Sequence, residues 1–273
     1  MGTFIQWKNF EALLPYANMF KEGLITTVLL ALFTVLIGFV LGLLLSVMRM
    51  SNIRPFLWLA HAFPDTFGFF ERDRNGMLRD SGFLYHLGRF NPLSFLATAY
   101  VEVIRSTPVL VQVMVIYFGV FSQLFSLPSF KIFGFIAFNR FFPGVVALAM
   151  NSGAYLCEII RSGLQSVEGG QTEAARSLGL SQLQNMRFII LPQALKNILP
   201  AIANEFVTII KESAITYTIG VQDIMAMVQA IMSATYIIME PLLVATALYF
   251  CLCFPLSKLI AYIESRMSRG DRR

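Results

Sequence analysis

Apolar residues along this 273-residue chain are gathered into five long runs that polar stretches separate. Each run is about as long as the ~20 residues that an α-helix needs to cross the hydrocarbon core of a bilayer. The pattern therefore predicts five membrane-spanning helices, at about residues 24–47, 96–122, 142–164, 197–219 and 235–262.

The polar stretches suggest how the rest of the chain is organised. Residues 1–22 form a predicted lead-in, residues 23–266 the transmembrane domain, and residues 267–273 a basic tail. A long insert at 50–94 has frequent Gly and Pro and charges of alternating sign, which favours turns broken by a short interfacial helix. Whether this insert is only a solvated loop touching lipid or also docks a partner is left open by the residues.

Composition supports the same class of protein. Hydrophobic residues make up 56% of the chain, only 14% of residues are charged, and the mean hydropathy is +0.67. These values are typical of membrane proteins that cross the bilayer several times. The three cysteines lie in apolar runs without the spacing of metal ligands, so we predict no metal site. The predicted fold class is an all-α integral membrane protein.

The positions of Lys and Arg predict its orientation. Of the 21 basic residues, fifteen lie at or beyond the ends of the first, third and fifth spans, and four lie on the opposite side. Because loops rich in Lys and Arg stay in the cytoplasm, the N-terminus is predicted outside and the C-terminus inside. The net charge of +5 needs no nucleic-acid partner, since inner-face basic residues beside anionic lipid account for it.

A polar connection at residues 165–196 contains the most informative motif. We expect a short helix from Gln171, with Glu173 near its start complementing the positive end of the helix dipole. Gly179 can supply the left-handed turn that ends such a helix. An ordinary amphipathic loop helix is the alternative, since small residues and a terminal Gly are common.

The register of the whole connection resembles the coupling loop of permease subunits in binding-protein-dependent ABC importers. That family's pattern is E-A-A, three residues, a Gly, and later I-x-L-P, which matches Glu173 to Ala175, Gly179 and Ile189 to Pro192. The resemblance implies a type I ABC importer-like transmembrane domain whose residues 165–196 contact a separate ATPase. The residues implied to carry that contact are Glu173, Ala174, Ala175, Arg176, Leu178 and Gly179.

A second block, from Tyr100 to Gln112, resembles the Y-x-E-x-x-R-x-T-P-x-L-x-Q signature of permeases for polar amino acids. Glu102 and Arg105 are three residues apart and face each other on a helix, while Arg105 and Gln112 share a face. Charges within a bilayer usually pair or line a wet cavity. Glu102 and Arg105 therefore either neutralise each other or contact substrate or gate.

The third span carries a polar stripe at helical spacing, formed by Asn151, Tyr155 and Glu158. An amide, a phenol and a carboxylate could hold the zwitterion of an amino acid, with Glu158 on its ammonium group. The alternative is a hydrogen-bonded seam between helices.

In the fourth span, Lys211, Glu212 and Ser213 resemble the family's K-[DE]-[ST]-S segment, with Ala214 in place of the second hydroxyl. Neighbouring residues on a helix point about 100° apart, so Lys211 and Glu212 need separate partners or an aqueous lining. A gate or pathway lining is the functional interpretation.

The chain has no G-x-x-x-x-G-K-[ST] loop to hold nucleotide phosphates, and no motif that suggests a catalytic residue. We therefore expect it to bind no cofactor, with ATP and Mg²⁺ held by a partner. The resemblance implies a cytoplasmic ABC ATPase dimer, a second permease subunit that is identical or homologous, and an external substrate-binding protein. It places the chain in the inner membrane of a bacterial cell.

The implied cargo is a polar amino acid. Carboxylates at Glu102, Glu158 and Glu212 favour a cationic cargo, but Arg105 and Lys211 could equally receive a carboxylate, so its identity stays open. The alternative function is an ion-coupled secondary transporter, which would usually show paired broken helices in two halves and would not need the Glu173 motif.

Overall fold

The computed structural model describes residues 6–51, 71–72, 78–79 and 90–268. Most of the predicted insert, 50–94, and most of the predicted basic tail, 267–273, lie outside the described residues. Two fragments of the insert, β1 (Glu71–Arg72) and β2 (Leu78–Arg79), pair as antiparallel strands.

The N-terminal part of the described chain is helical from Trp7 onward. Helix α1 (Trp7–Leu13) is followed by a 3₁₀ turn, Leu14–Tyr16, and then by α2 (Ala17–Met50). The predicted lead-in therefore continues into the first span without an extended linker. Helix α2 ends at Ser51, whose extended backbone stops the helical hydrogen bonds.

The second apolar run is broken, where the hydrophobic pattern predicted one span. Helix α3 (Pro92–Arg105) starts at Asn91, whose side chain accepts the Ser94 N–H at 3.1 Å. The chain then bends by 109° into the next helical run. Pro108 explains the break, because it lacks an N–H and disfavours helical backbone in the residue before it.

The remaining elements follow in order. After the break, α4 (Val109–Met114) continues through a π-helical stretch, Val115–Phe121, to a last turn at Ser122–Leu124, and a small hairpin follows, β3 (Lys131–Ile132) and β4 (Ile136–Ala137). The later helices are α5 (Phe138–Gln165), α6 (Gly169–Ser177), α7 (Gln182–Asn185) with a π-helical stretch at Met186–Ile190, α8 (Leu191–Glu212) with a 3₁₀ stretch at Ser213–Ile219, α9 (Ile224–Thr235) and α10 (Met239–Ser268).

Helix α9 lies between the fourth and fifth predicted spans, 197–219 and 235–262, in residues that the hydrophobic pattern left as a connection. Asp223 begins it by accepting the Ala226 N–H at 2.8 Å. The bend between the α8 run and α9 is 49°. Within the described residues, three helices are long and apolar enough to cross a membrane, or five if each bent pair counts as one span.

Helices α2 and α5 form the most extensive contact between helices in the described chain. Gly38 and Gly42 lie four apart on α2 and face α5, so the two backbones come close. A Cβ added at Gly42 would lie 2.8 Å from Leu156 Cβ and 3.0 Å from the backbone of Gly153 and Cys157. Small residues at such spacing allow close helix packing in membranes. We call this contact the α2–α5 seam.

A buried carboxylate ties the first helix to the last. Glu240, in the first turn of α10, accepts the backbone N–H of Gln6 at 3.0 Å and the side-chain amide of Asn9 at 2.8 Å. Gln6 is the N-cap residue of α1, so the carboxylate satisfies a donor that the helix itself leaves free. This contact fixes α1 against the start of α10.

Candidate functional site

The predicted coupling loop contains helix α6, which presents most of its surface to solvent. Ala175 is its one buried residue, at 3% exposure. The helix begins at Gly169, so Glu173 lies in its middle. The expectation that Glu173 sits near the helix start was wrong, because the helix extends two residues further toward the N-terminus than Gln171.

Gly179 ends this helix with a left-handed turn, as predicted. Its φ is +79°, and the two backbone hydrogen bonds of a Schellman motif follow: Gly179 N–H donates to Arg176 O at 2.9 Å and Leu180 N–H donates to Ala175 O at 3.1 Å. Space around Gly179 is open, since an added Cβ would meet no atom within 4 Å. The glycine is therefore needed for backbone conformation and not for packing.

Three large apolar side chains stand out from this region into solvent. Leu178 is 81% exposed, Leu183 is 78% exposed and Phe188 is 61% exposed. Ser181 and Gln184 form a capping box that starts α7 immediately after the turn, which fixes the direction of the chain between them. Large exposed apolar side chains that are close in sequence are typical of an interaction surface. We call residues 169–190 the coupling segment.

The predicted polar stripe on α5 is present, but its members turn to different partners. Glu158 accepts Arg49 Nη1 from the last turn of α2 at 2.7 Å, and it also pairs with Arg161 one turn along its own helix. This carboxylate is therefore already neutralised by cations of the same chain.

Of the two alternatives left open for Glu102 and Arg105, mutual neutralisation was wrong. Glu102, with its side chain 63% exposed, has its carboxylate 3.8 Å from Arg49 Nη2. Arg105 instead places its guanidinium carbon 5.5 Å from the ring centroid of Tyr155. Tertiary partners on α2 and α5 thus outcompete the neighbour three residues away.

Gln112 and Asn151 are buried and bonded to each other. Asn151 Nδ2 donates to Gln112 Oε1 at 2.9 Å, while Gln112 Nε2 donates to Ile104 O at 2.7 Å, and to Thr107 O at 3.0 Å. Those carbonyls belong to the α3–α4 break, where Ile104 O also accepts the Thr107 N–H at 3.4 Å. The amide of Gln112 therefore closes the break, and the role of both residues toward cargo stays a prediction.

The residues Lys211, Glu212 and Ser213 lie where α8 gives way to its 3₁₀ stretch. The Lys211 side chain is exposed, whereas Ser213 is fully buried and donates to Ile210 O at 2.8 Å. Their predicted role as a gate or pathway lining stays a prediction. In the part of the chain that the structure describes, no three His, Cys, Asp or Glu side chains are grouped to hold a metal ion.

Arg49 and Arg161 were not predicted as site residues. Both contributed only to the count of basic residues that gave the orientation. The spacing of three between Glu158 and Arg161 was a signal for their pairing. Arg49 carried no such signal, because its contacts with Glu102 and Glu158 span more than fifty residues of sequence.

Comparison with known proteins decides the family. Residues 81–269 match the family model described as the binding-protein-dependent transport system inner membrane component. The chain belongs to this family. It is a multi-pass membrane protein and the permease subunit of a binding-protein-dependent ABC importer.

Two relatives and one solved structure cover nearly the whole permease. The arginine transport system permease protein ArtQ of Bacillus subtilis is 34% identical over 96% of this chain and 99% of its own length. The putative glutamine transport system permease protein GlnP of Rickettsia typhi is 32% identical over 90% of this chain and 91% of its own. A crystal structure of an amino acid ABC transporter with histidines superposes with a TM-score of 0.74, at 37% identity over 94% of this chain and 98% of that one. The permease therefore has the type I importer fold.

Proposed function

We propose that this permease imports a polar amino acid and takes its energy from a separate cytoplasmic ATPase through the coupling segment. The observation that carries the proposal is that Leu178, Leu183 and Phe188 are all exposed within the coupling segment, which also contains the Gly179 turn. Exposed apolar side chains of this kind fit a groove on another protein. ATP binding there would shift the spans between outward-open and inward-open states.

The proposal includes three kinds of protein partner. An ABC ATPase dimer would receive the coupling segment, a second permease subunit would complete the pathway, and an external binding protein would deliver cargo. It also includes the predicted orientation, with the C-terminus and the coupling segment in the cytoplasm. The family description, which names binding-protein-dependent transport and the inner membrane, supports these partners.

The cargo class is supported by the relatives and by the side chains within the spans. ArtQ is named for arginine and GlnP for glutamine, and the matching solved structure is an amino acid transporter. Glu102, Glu158 and Tyr155 are groups that a cationic or amino-bearing cargo would meet. We therefore propose a polar amino acid, with L-arginine and L-glutamine as the first two to test.

Leu178→Ser tests the coupling surface, with Leu124→Ser as its matched control. Leu124 is 72% exposed, close to the value for Leu178, but lies in the last turn of the helical run that begins with α4, at the end predicted to be external. We expect Leu178→Ser to reduce binding of the ATPase by about tenfold, as for loss of an apolar interface anchor. The measurement is ATPase co-purification and ATP-driven uptake in proteoliposomes.

Leu124→Ser should leave both readouts at the wild-type level. Equal loss in the two variants would show that any exposed leucine is needed and would contradict a specific coupling surface. Uptake driven by an ion gradient without ATP would contradict the whole proposal and favour a secondary transporter.

A further inference from the structure

The side chains that were predicted to face cargo are in contact with arginine side chains of the permease itself. Arg49 lies on Glu158 and near Glu102, and Arg105 lies over the ring of Tyr155. A cationic amino acid would offer the same kind of group to the same carboxylates and ring. Both carboxylates and the ring are therefore already in contact with cations of the same chain.

Arg49 joins more helices than Arg105 or Arg161 does. Its backbone is at the end of α2, where its carbonyl accepts the Ser94 hydroxyl of α3 at 2.9 Å. Its guanidinium then reaches Glu158 on α5 at 2.7 Å and Glu102 on α3 at 3.8 Å. One side chain thus bridges three helices through two carboxylates.

The two bridges are unequal in strength. The contact with Glu158 is within hydrogen-bonding distance and both side chains are mostly buried, whereas the contact with Glu102 is longer and Glu102 is largely exposed. Exposed ion pairs contribute little, while charge-assisted hydrogen bonds in a less polar site contribute more. Arg49 is therefore held mainly by Glu158 and loosely by Glu102.

We propose that Arg49 is an exchangeable counter-cation, which neutralises Glu158 and Glu102 while no cargo is present and is displaced when a cationic cargo side chain binds there. Glu158 is mostly buried, so its negative charge would be costly to keep without cations beside it. Together with Arg161, Arg49 lowers that cost in the empty state, and it makes cargo binding a competition between two cations for the same carboxylates. The proposal rests on the importer function proposed above.

Arg161 supplies the matched comparison. It carries the same charge and pairs with the same carboxylate, but it lies on α5 three residues from Glu158, and its Nη1 is also held by Gln165 at 2.6 Å. Arg161 therefore stays next to Glu158 on the same helix, because both contacts described here, with Glu158 and Gln165, lie within α5. Losing Arg161 lowers the net charge by the same amount as losing Arg49, but leaves the competitor in place.

Equilibrium binding of labelled L-arginine and L-glutamine to the assembled, nucleotide-free permease–ATPase complex in nanodiscs tests the proposal. We expect Arg49→Gln to lower the Kd for L-arginine by about tenfold, the size of one lost charge-assisted competitor. The Kd for L-glutamine, whose side chain is neutral, should change by less than about twofold, so selectivity for L-arginine rises. Arg49→Lys keeps a cation within reach and should stay near wild type.

Arg161→Gln separates exchange from a simple change in charge. If it tightens L-arginine binding as much as Arg49→Gln does, the effect comes from net charge and the proposal is overturned. An unchanged or weaker affinity for L-arginine in Arg49→Gln overturns it as well. Thermal midpoints of the complexes check that each variant is folded.

Glu102→Gln provides a second route if Arg49→Gln does not assemble. This side chain is exposed and contributes no buried contact, so the fold should tolerate the change. We expect it to weaken L-arginine binding by about threefold and to leave L-glutamine unchanged. No change for L-arginine would overturn the proposal. Failure of ATP-driven uptake by the wild type would instead overturn the importer function, so the two failures are distinguishable.

Discussion

The α2–α5 seam and the coupling segment both depend on glycine, for opposite reasons. At Gly42 the neighbouring helix leaves no room for a side chain, while the backbone is ordinary helix. At Gly179 the surroundings are open, while the backbone has a φ of +79° that other residues rarely adopt. Gly42 therefore contributes to stability by allowing close packing, and Gly179 sets the shape of a surface that another protein would bind.

The largest expected effect is at the seam. Gly42→Val would push side-chain atoms into the backbone of Gly153 and Cys157, which have no flexible group to move aside. We expect a loss of ~1–3 kcal/mol or more in the free energy of unfolding, as for overpacking in a close-packed interior. Thermal unfolding of the purified permease, together with its yield in membranes, measures this.

Gly119→Val is the control for that change. Gly119 lies in the π-helical stretch after α4, and an added Cβ would meet only Val115 Cγ1, at 3.9 Å. Its unfolding midpoint should move much less than that of Gly42→Val. Similar losses in both variants would mean that β-branched residues in helices, and not the seam, set the cost.

An intermediate effect is expected at the α3–α4 break, which is held by hydrogen bonds and not by close packing. Gln112→Ala would leave Asn151 and the carbonyls of Ile104 and Thr107 without their present partner. We expect about 1–3 kcal/mol of destabilisation, chiefly because the buried amide of Asn151 loses its partner. A double-mutant cycle with Asn151→Ala measures the share that belongs to the pair, and additive losses would show that the two amides do not interact.

The smallest effect on stability, with the largest effect on coupling, is expected at Gly179. Gly179→Ala meets no atom, so its cost is only the ~1–2 kcal/mol of left-handed backbone strain. If the turn relaxes, Leu178 changes direction and ATP-driven uptake should fall while the spans stay folded. Gly179→Asn should retain more uptake, because asparagine tolerates the left-handed conformation better than alanine does. Equal uptake in the two variants would show that the ATPase does not depend on the shape of this turn.

Much of the architecture could be predicted because hydrophobic length is a local property. Five apolar runs are visible in the sequence, and the left-handed turn at Gly179 followed from a motif within nine residues. The break near Pro108 was missed because apolar residues continue on both sides of it. Helix α9 was missed for the opposite reason, since its short apolar stretch was read as a connection although Asp223 is a good N-cap residue.

The polar site was harder to predict because its pairings are tertiary. Spacing correctly placed Asn151, Tyr155 and Glu158 on one helix, but spacing says nothing about which neighbouring helix supplies each partner. The Glu102–Arg105 pair looked favourable by the same local rule and lost to Arg49 and Tyr155. Local geometry offers such a pair only a few tenths of a kcal/mol, so tertiary neighbours can override it.

The Glu240 contact has a consequence for handling the N-terminal end of this chain. Shortening the protein beyond Asn9 would delete both donors while leaving an acceptor enclosed at the head of α10. A fusion joined directly at Gln6 would disturb the hydrogen bonds to Glu240. A fusion attached before Gln6 through a flexible linker would leave them intact. The seven-residue helix α1 thus holds the start of α10, and any tag or deletion placed there acts on the first and last helices of the described chain at once.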